Sequence, residues 1–154
     1  MSEQAWEIVD VGDTTLGNEY SAQWSVVISA AQLSSQQKAV IQRLVELSQL
    51  PIDWDSYGSP PPTPAATKVA TEIVQMPVFD FLPSPGVSPV SGGGVQLEWE
   101  IGSRALEVEI LDTGIVQYLK SDRSEPIEEG VLGLPLLPGL RSLALWTVSE
   151  EETA

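Results

Sequence analysis

The chain has 154 residues, 42% of them hydrophobic and 19% charged, which is the composition of a folded domain near the commonest domain size and not of a disordered segment. It contains no Cys and no His. That excludes disulfides, thiolate nucleophiles, the usual structural zinc sites and the Ser-His-Asp and Cys-His forms of nucleophilic catalysis. Its 22 acidic residues outnumber 7 basic ones, for a formal charge of −15, and positions 1–37 hold no Lys or Arg. Such a charge repels nucleic acid and anionic membranes and steers the chain toward basic partners, unless it serves only to keep the protein in solution.

In chain order, Trp6 to Val11 reads as a strand. Tyr20, Ala22, Trp24, Val26 and Ile28 alternate with polar neighbours as a second strand does. Loop residues from Gly12 to Asn18 join them, so 1–33 is expected to form an antiparallel hairpin. Residues 1–20 show neither basic charge nor an apolar core of signal-peptide form, and a cytoplasmic location is expected. No apolar run approaches the ~20 residues of a membrane span.

Residues 34–76 hold two helices. Ser34 and Gln37 have the spacing of a capping box, and Val40, Ile41, Leu44, Val45 and Leu47 follow at helical spacing before Pro51. The second helix begins at Thr63-Pro64, with Thr63 as cap, and buries Ala66, Val69, Ala70, Ile73 and Val74 before Pro77. Between the helices lies Asp53-Trp54-Asp55-Ser56-Tyr57-Gly58. Two carboxylates at this spacing suit a cation or acid–base chemistry only on a regular strand, and no third acid stands at calcium-loop spacing. The structural reading is preferred: Trp54 and Tyr57 anchor the loop in the core, an Asp caps nearby N–H groups, and Gly58 makes the turn.

A Pro/Gly/Ser-rich connector from Pro83 to Gly94 is expected to be a loop; its three glycines at 92–94 lack the Lys and the following helix of a phosphate loop. A three-stranded meander follows over 95–120: Val95–Ile101, Ala105–Leu111 and Ile115–Leu119. Gly102-Ser103 forms a two-residue turn, and Asp112-Thr113-Gly114 a three-residue one. These turns set the register. Trp99 faces Leu106, Glu98 faces Glu107, and Leu97 faces Val108. Leu97, Trp99, Leu106, Val108 and Ile110 then share the core face, and Glu98, Glu100, Glu107 and Glu109 share the other. A directly opposed like-charge pair costs about 0.2–1 kcal/mol. The acidic face therefore reads as a dock for Lys or Arg, less readily as a divalent-cation site, or simply as an exposed face screened by salt.

The tail, 121–154, is polar to Gly130 and then leucine-rich, broken by Pro135, Pro138 and Gly139. An edge strand, a short helix or an extended arm all fit. Leu136, Leu137 and Trp146 are candidates for an apolar contact with a partner, or else complete the core. The fold class expected is α+β, one domain over 1–154, with the hairpin and the meander in an antiparallel sheet packed on two helices.

Trp54-Asp55-x-Tyr57-Gly58-x-x-Pro61 and the later Gly93-Gly94-x-x-Leu97-x-Trp99 resemble a group of short bacterial proteins that carry a W-[DN]-x-Y-G-x-x-P motif and a G-G-x-x-L-x-W meander. The resemblance covers roughly residues 40–120. It implies a bacterial origin and a shared core fold, and no catalytic activity. The function expected is a non-catalytic interaction or regulatory protein that binds a basic protein, of antitoxin, immunity or accessory-subunit type. No cofactor, metal, membrane or direct nucleic-acid contact is expected, and the oligomeric state is left open. The alternatives are a nucleic-acid mimic that inhibits a DNA- or RNA-binding enzyme, and a carboxylate-dependent metal enzyme.

Overall fold

The computed structural model describes residues 33–149 in full and, as backbone strands, Trp6–Asp10 (β1) and Ser25–Ser29 (β2). β1 and β2 pair antiparallel from Trp6 opposite Ser29 to Asp10 opposite Ser25, which is the expected hairpin. The expected Gly12–Asn18 loop and the strand residues Tyr20, Ala22 and Trp24 lie outside the described residues.

Helix α1 spans Ser35–Ser48 and starts as its sequence dictates. Ser34 Oγ accepts from the Gln37 N–H at 3.0 Å while the Ser34 N–H donates to Gln37 Oε1 at 2.9 Å, so two helix-end groups satisfy each other. The Gln37 amide also donates to the Val74 carbonyl at 3.0 Å, tying α1 to the end of α2. Helix α2, Pro64–Val74, is capped by Thr63, whose hydroxyl accepts from the Ala66 N–H and donates to the Asp112 carbonyl at 2.7 Å. One hydroxyl thus fixes the start of α2 to a sheet turn. Val40, Ile41, Leu44 and Leu47 of α1 and Ala66, Ala70, Ile73 and Val74 of α2 are buried, with Val45 and Val69 packed at the margin. A single 3-10 turn, Pro77–Phe79, follows α2.

The main sheet has five antiparallel strands in sequence order: β3 Gly86–Val90, β4 Gly94–Ile101, β5 Arg104–Ile110, β6 Val116–Asp122 and β7 Glu125–Leu132. The central meander is as expected, including Trp99 opposite Leu106, Glu98 opposite Glu107 and Leu97 opposite Val108. Gly102 has φ +60° and Gly114 φ +91°, the left-handed backbone that these turns demand. Leu97, Trp99, Leu106, Val108 and Ile110 are all buried against the helices.

Three expectations need correction, and one alternative left open is decided. The connector Pro83–Gly94 is not wholly loop, because it contains β3. Pro89 is tolerated there since an edge strand bonds on one side only. Of the alternatives left open for the tail, an edge strand is found: most of Asp122–Gly130 lies in the second edge strand, β7. The chain turns back at Arg123 and Ser124, both in left-handed backbone (φ +53° and +66°) between the paired Asp122 and Glu125. The N-terminal hairpin does not join the main sheet. It is a two-stranded sheet of its own. Finally, the helices number three among the described residues: α3, Leu137–Val148, enters through Pro138 in its first turn and buries Leu140, Leu143, Ala144 and Thr147. The leucine-rich tail therefore contributes Leu140 and Leu143 to the core, while Leu134, Leu137 and Leu145 stay exposed. The α+β class stands, with a larger sheet and one more helix than the periodicity revealed.

Candidate functional site

Because side chains alternate across a sheet, one face of the five strands meets the helices and the other is left to solvent. On the solvent face a cross-strand row runs Gly86, Glu98, Glu107, Leu119 and Glu129, and beside it runs Ser88, Gln96, Glu109, Gln117 and Val131. Glu100 stands next along β4, opposite Ala105. The four expected glutamates Glu98, Glu100, Glu107 and Glu109 do share this face. Glu100 is exposed and the other three are half-buried between neighbouring side chains. Glu129 joins them from β7, so five carboxylates face outward and the five strands place no Lys or Arg among them. A shallow concavity of about 180 Å³ lies here, walled by Gln96, Glu107, Glu109, Gln117 and Glu129 and floored by Leu119.

The charge of this face is visible in Glu98. Its carboxyl is held above the ordinary glutamate range, first because burial disfavours the anion, then because Glu107 and Glu100 repel it. The strand order explains why Glu129 was not found from sequence. It belongs to an edge strand without apolar alternation, and only the pairing of Leu119 with Glu129 brings it to the acidic row. Among the described residues, no three acidic side chains come together in a way that could hold a metal ion. No helix among them is long and apolar enough to cross a membrane.

The apolar candidates of the tail are placed differently from an extended arm. Leu136 is half-buried against the core, and Leu137 is 47% exposed at the start of α3. Trp146 is half-buried and serves as a platform for two cations, with the Arg104 guanidinium 4.9 Å and the Lys120 ammonium 5.2 Å from its ring centroid. Arg104 also donates to the Trp146 and Ser149 carbonyls, which closes the C-terminal end of α3 with a positive charge where the helix dipole favours one. Lys120 is shared with Glu128, 3.4 Å away, whose carboxylate is held below its usual range by the Tyr118 hydroxyl and then by that ammonium. Trp146 therefore docks α3 on the sheet, which is the core-completing alternative for this residue.

The Asp53–Gly58 segment is a locked loop. Asp55 accepts from the Tyr57 N–H, the Ser59 N–H and hydroxyl, and the Ser91 hydroxyl at 2.6 Å, which holds its carboxyl well below the ordinary aspartate range, the two hydroxyls first. Asp53 accepts from the Gly58 N–H at 2.7 Å. Both aspartates act as caps, as the structural reading expects, and Gly58 has φ +82°. Trp54 is half-buried with its indole N–H on the Pro60 carbonyl at 2.8 Å. Tyr57 departs from expectation: it is 89% exposed and anchors nothing in the core. The sequence could not show this, because the carboxylate cap already fixes the loop and leaves the adjacent side chain free to point outward. Trp99, the remaining motif residue, is a core residue at 1% exposure.

Comparison with protein families, with curated proteins and with solved structures finds no match to this chain.

Proposed function

We propose that the chain is a non-catalytic interaction or regulatory protein that docks a basic protein partner through the outer face of its five-stranded sheet. The observation that carries this reading is the row Glu98–Glu107–Leu119–Glu129 with Glu100 and Glu109 beside it, an acidic surface with no Lys or Arg at the strand positions of that face among the described residues. A face needed only for solubility could interleave Lys with Glu and remove the repulsion across the strands. Keeping the charges unpaired costs stability, and a cationic partner would offset that cost while gaining association rate from long-range attraction. An antitoxin, an immunity protein or an accessory subunit of a larger assembly would use such a surface, in keeping with the resemblance to short bacterial proteins proposed from the tryptophan-containing motifs. Of the tail candidates Leu136, Leu137 and Trp146, Leu137 at the start of α3 is the exposed one and would add an apolar contact.

The test is affinity capture from a bacterial lysate with the wild-type chain and with a Glu98→Lys, Glu107→Lys, Glu109→Lys variant, with quantitative mass spectrometry. The expected result is a basic protein retained by the wild type, released by raised salt and lost from the variant. Equal recovery by both would remove the face from the interaction. If the retained protein is a nucleic-acid-binding enzyme and added DNA displaces it, the reading narrows to nucleic-acid mimicry.

A further inference from the structure

On the helix side of the sheet, opposite the acidic face, a cleft of about 190 Å³ opens between the N-terminus of α1, the end of α2 and the segment 79–85. Its apolar wall is built by Val40, Val74, Phe79 and Leu82, with Trp99 of β4 behind Phe79. The two rings are stacked, centroids 4.8 Å apart and 9° from parallel. Trp99 is 1% exposed, and its indole nitrogen, a donor only, is shut off from solvent with no acceptor among the described residues. Buried indole N–H groups are normally hydrogen-bonded, and Trp54 in this same chain obeys that rule. The charged side chain lining the cleft is Asp80, and the lining includes no Lys or Arg.

We propose that this cleft binds a compact, uncharged, mainly apolar molecule whose carbonyl oxygen accepts the Trp99 indole N–H. The missing acceptor defines the polar end of the ligand, and the aliphatic and aromatic wall defines its body. The volume is smaller than that of sites for drug-sized molecules, so the ligand is a small ring or short chain. Anions are disfavoured by Asp80 and by the net charge of −15, and a simple cation would leave the indole N–H unmatched. Contact with the buried nitrogen requires the wall to yield. This site is independent of the acidic face, and neither proposal depends on the other.

The experiment follows the five tryptophan indole N–H signals of the ¹⁵N-labelled chain during titration with ε-caprolactam and, separately, acetophenone. Trp99→Phe identifies the Trp99 signal by its disappearance. Ser84→Trp, at an exposed position on the cleft mouth, blocks entry without touching the core. The expected result is a saturable downfield shift of the Trp99 indole proton with one or both probes. Affinity falls about fivefold to tenfold in Trp99→Phe, as for one lost hydrogen bond, and the response disappears in Ser84→Trp. If Trp99→Phe does not fold, the Ser84→Trp comparison alone carries the test. A Trp99 indole signal that stays still with both probes, or that shifts equally in Ser84→Trp, would overturn the proposal.

Discussion

Replacing Glu98 with glutamine keeps the shape of the side chain and removes one charge from the acidic face. Glu98 stands directly opposite Glu107 and two residues from Glu100, and it is half-buried, so water screens it less than a fully exposed glutamate. A like-charge cross-strand pair costs about 0.2–1 kcal/mol, and partial burial favours the upper half of that range. Glu98→Gln is therefore expected to stabilise the chain at pH 7 by about 0.5–1 kcal/mol, a rise in Tm of about 1–4 °C for a domain of this size. The sign follows from linkage. A carboxyl whose folded pKa lies above its ordinary value of 4.5 holds its proton more tightly when folded. Its favourable contribution is complete below the ordinary value and is lost as pH rises through the folded value. The variant's advantage should thus be full at pH 7 and vanish near pH 4. It should also shrink in 1 M salt, where the screening length is about 3 Å. Thermal unfolding followed by circular dichroism at pH 7, at pH 4 and in 1 M NaCl measures all three. A variant less stable than wild type at pH 7, or a gain indifferent to both pH and salt, would refute the argument that this face is under repulsion. The same substitution should weaken a basic partner, so stability and binding are expected to move in opposite directions.

Other substitutions separate the roles assigned to single side chains. Trp146→Ala should cost about 1–3 kcal/mol in urea unfolding, because it removes the platform for Arg104 and Lys120 that docks α3; a stability equal to wild type would return Trp146 to a free surface. Tyr57→Ala should change stability by less than about 0.5 kcal/mol, since an exposed side chain loses little on truncation, and a loss of several kcal/mol in the same assay would mean that the ring is buried. Asp55→Asn should lower stability at neutral pH. A carboxylate whose folded pKa is depressed stabilises the fold above its ordinary value of 3.8 and loses that contribution only as pH falls through the folded value. The wild type should therefore lead at pH 7 and converge on the variant in strong acid, which unfolding midpoints across that range would show.

Where local chemistry decides the outcome, the chain was legible before any fold was known. Ser34 with Gln37 and Thr63 with Pro64 begin helices because side chain and backbone satisfy one another within three residues. The alternation Leu97, Glu98, Trp99, Glu100 names a strand and its two faces, and Gly102-Ser103 sets the register that brings Glu98 opposite Glu107. The acidic face and most of its glutamates follow from these rules alone. Tertiary structure decided the rest, for a common reason. β3 and β7 are edge strands, held by backbone bonds to β4 and β6, and their side chains need no apolar alternation to stay in place. Glu129, the fold of the tail into α3 and the half-burial of Trp146 beneath two cations all depend on pairing and packing with other elements. Composition determines that such a chain must find a core and carry a large negative charge, whereas only packing decides which residues close the core and which carboxylates end side by side.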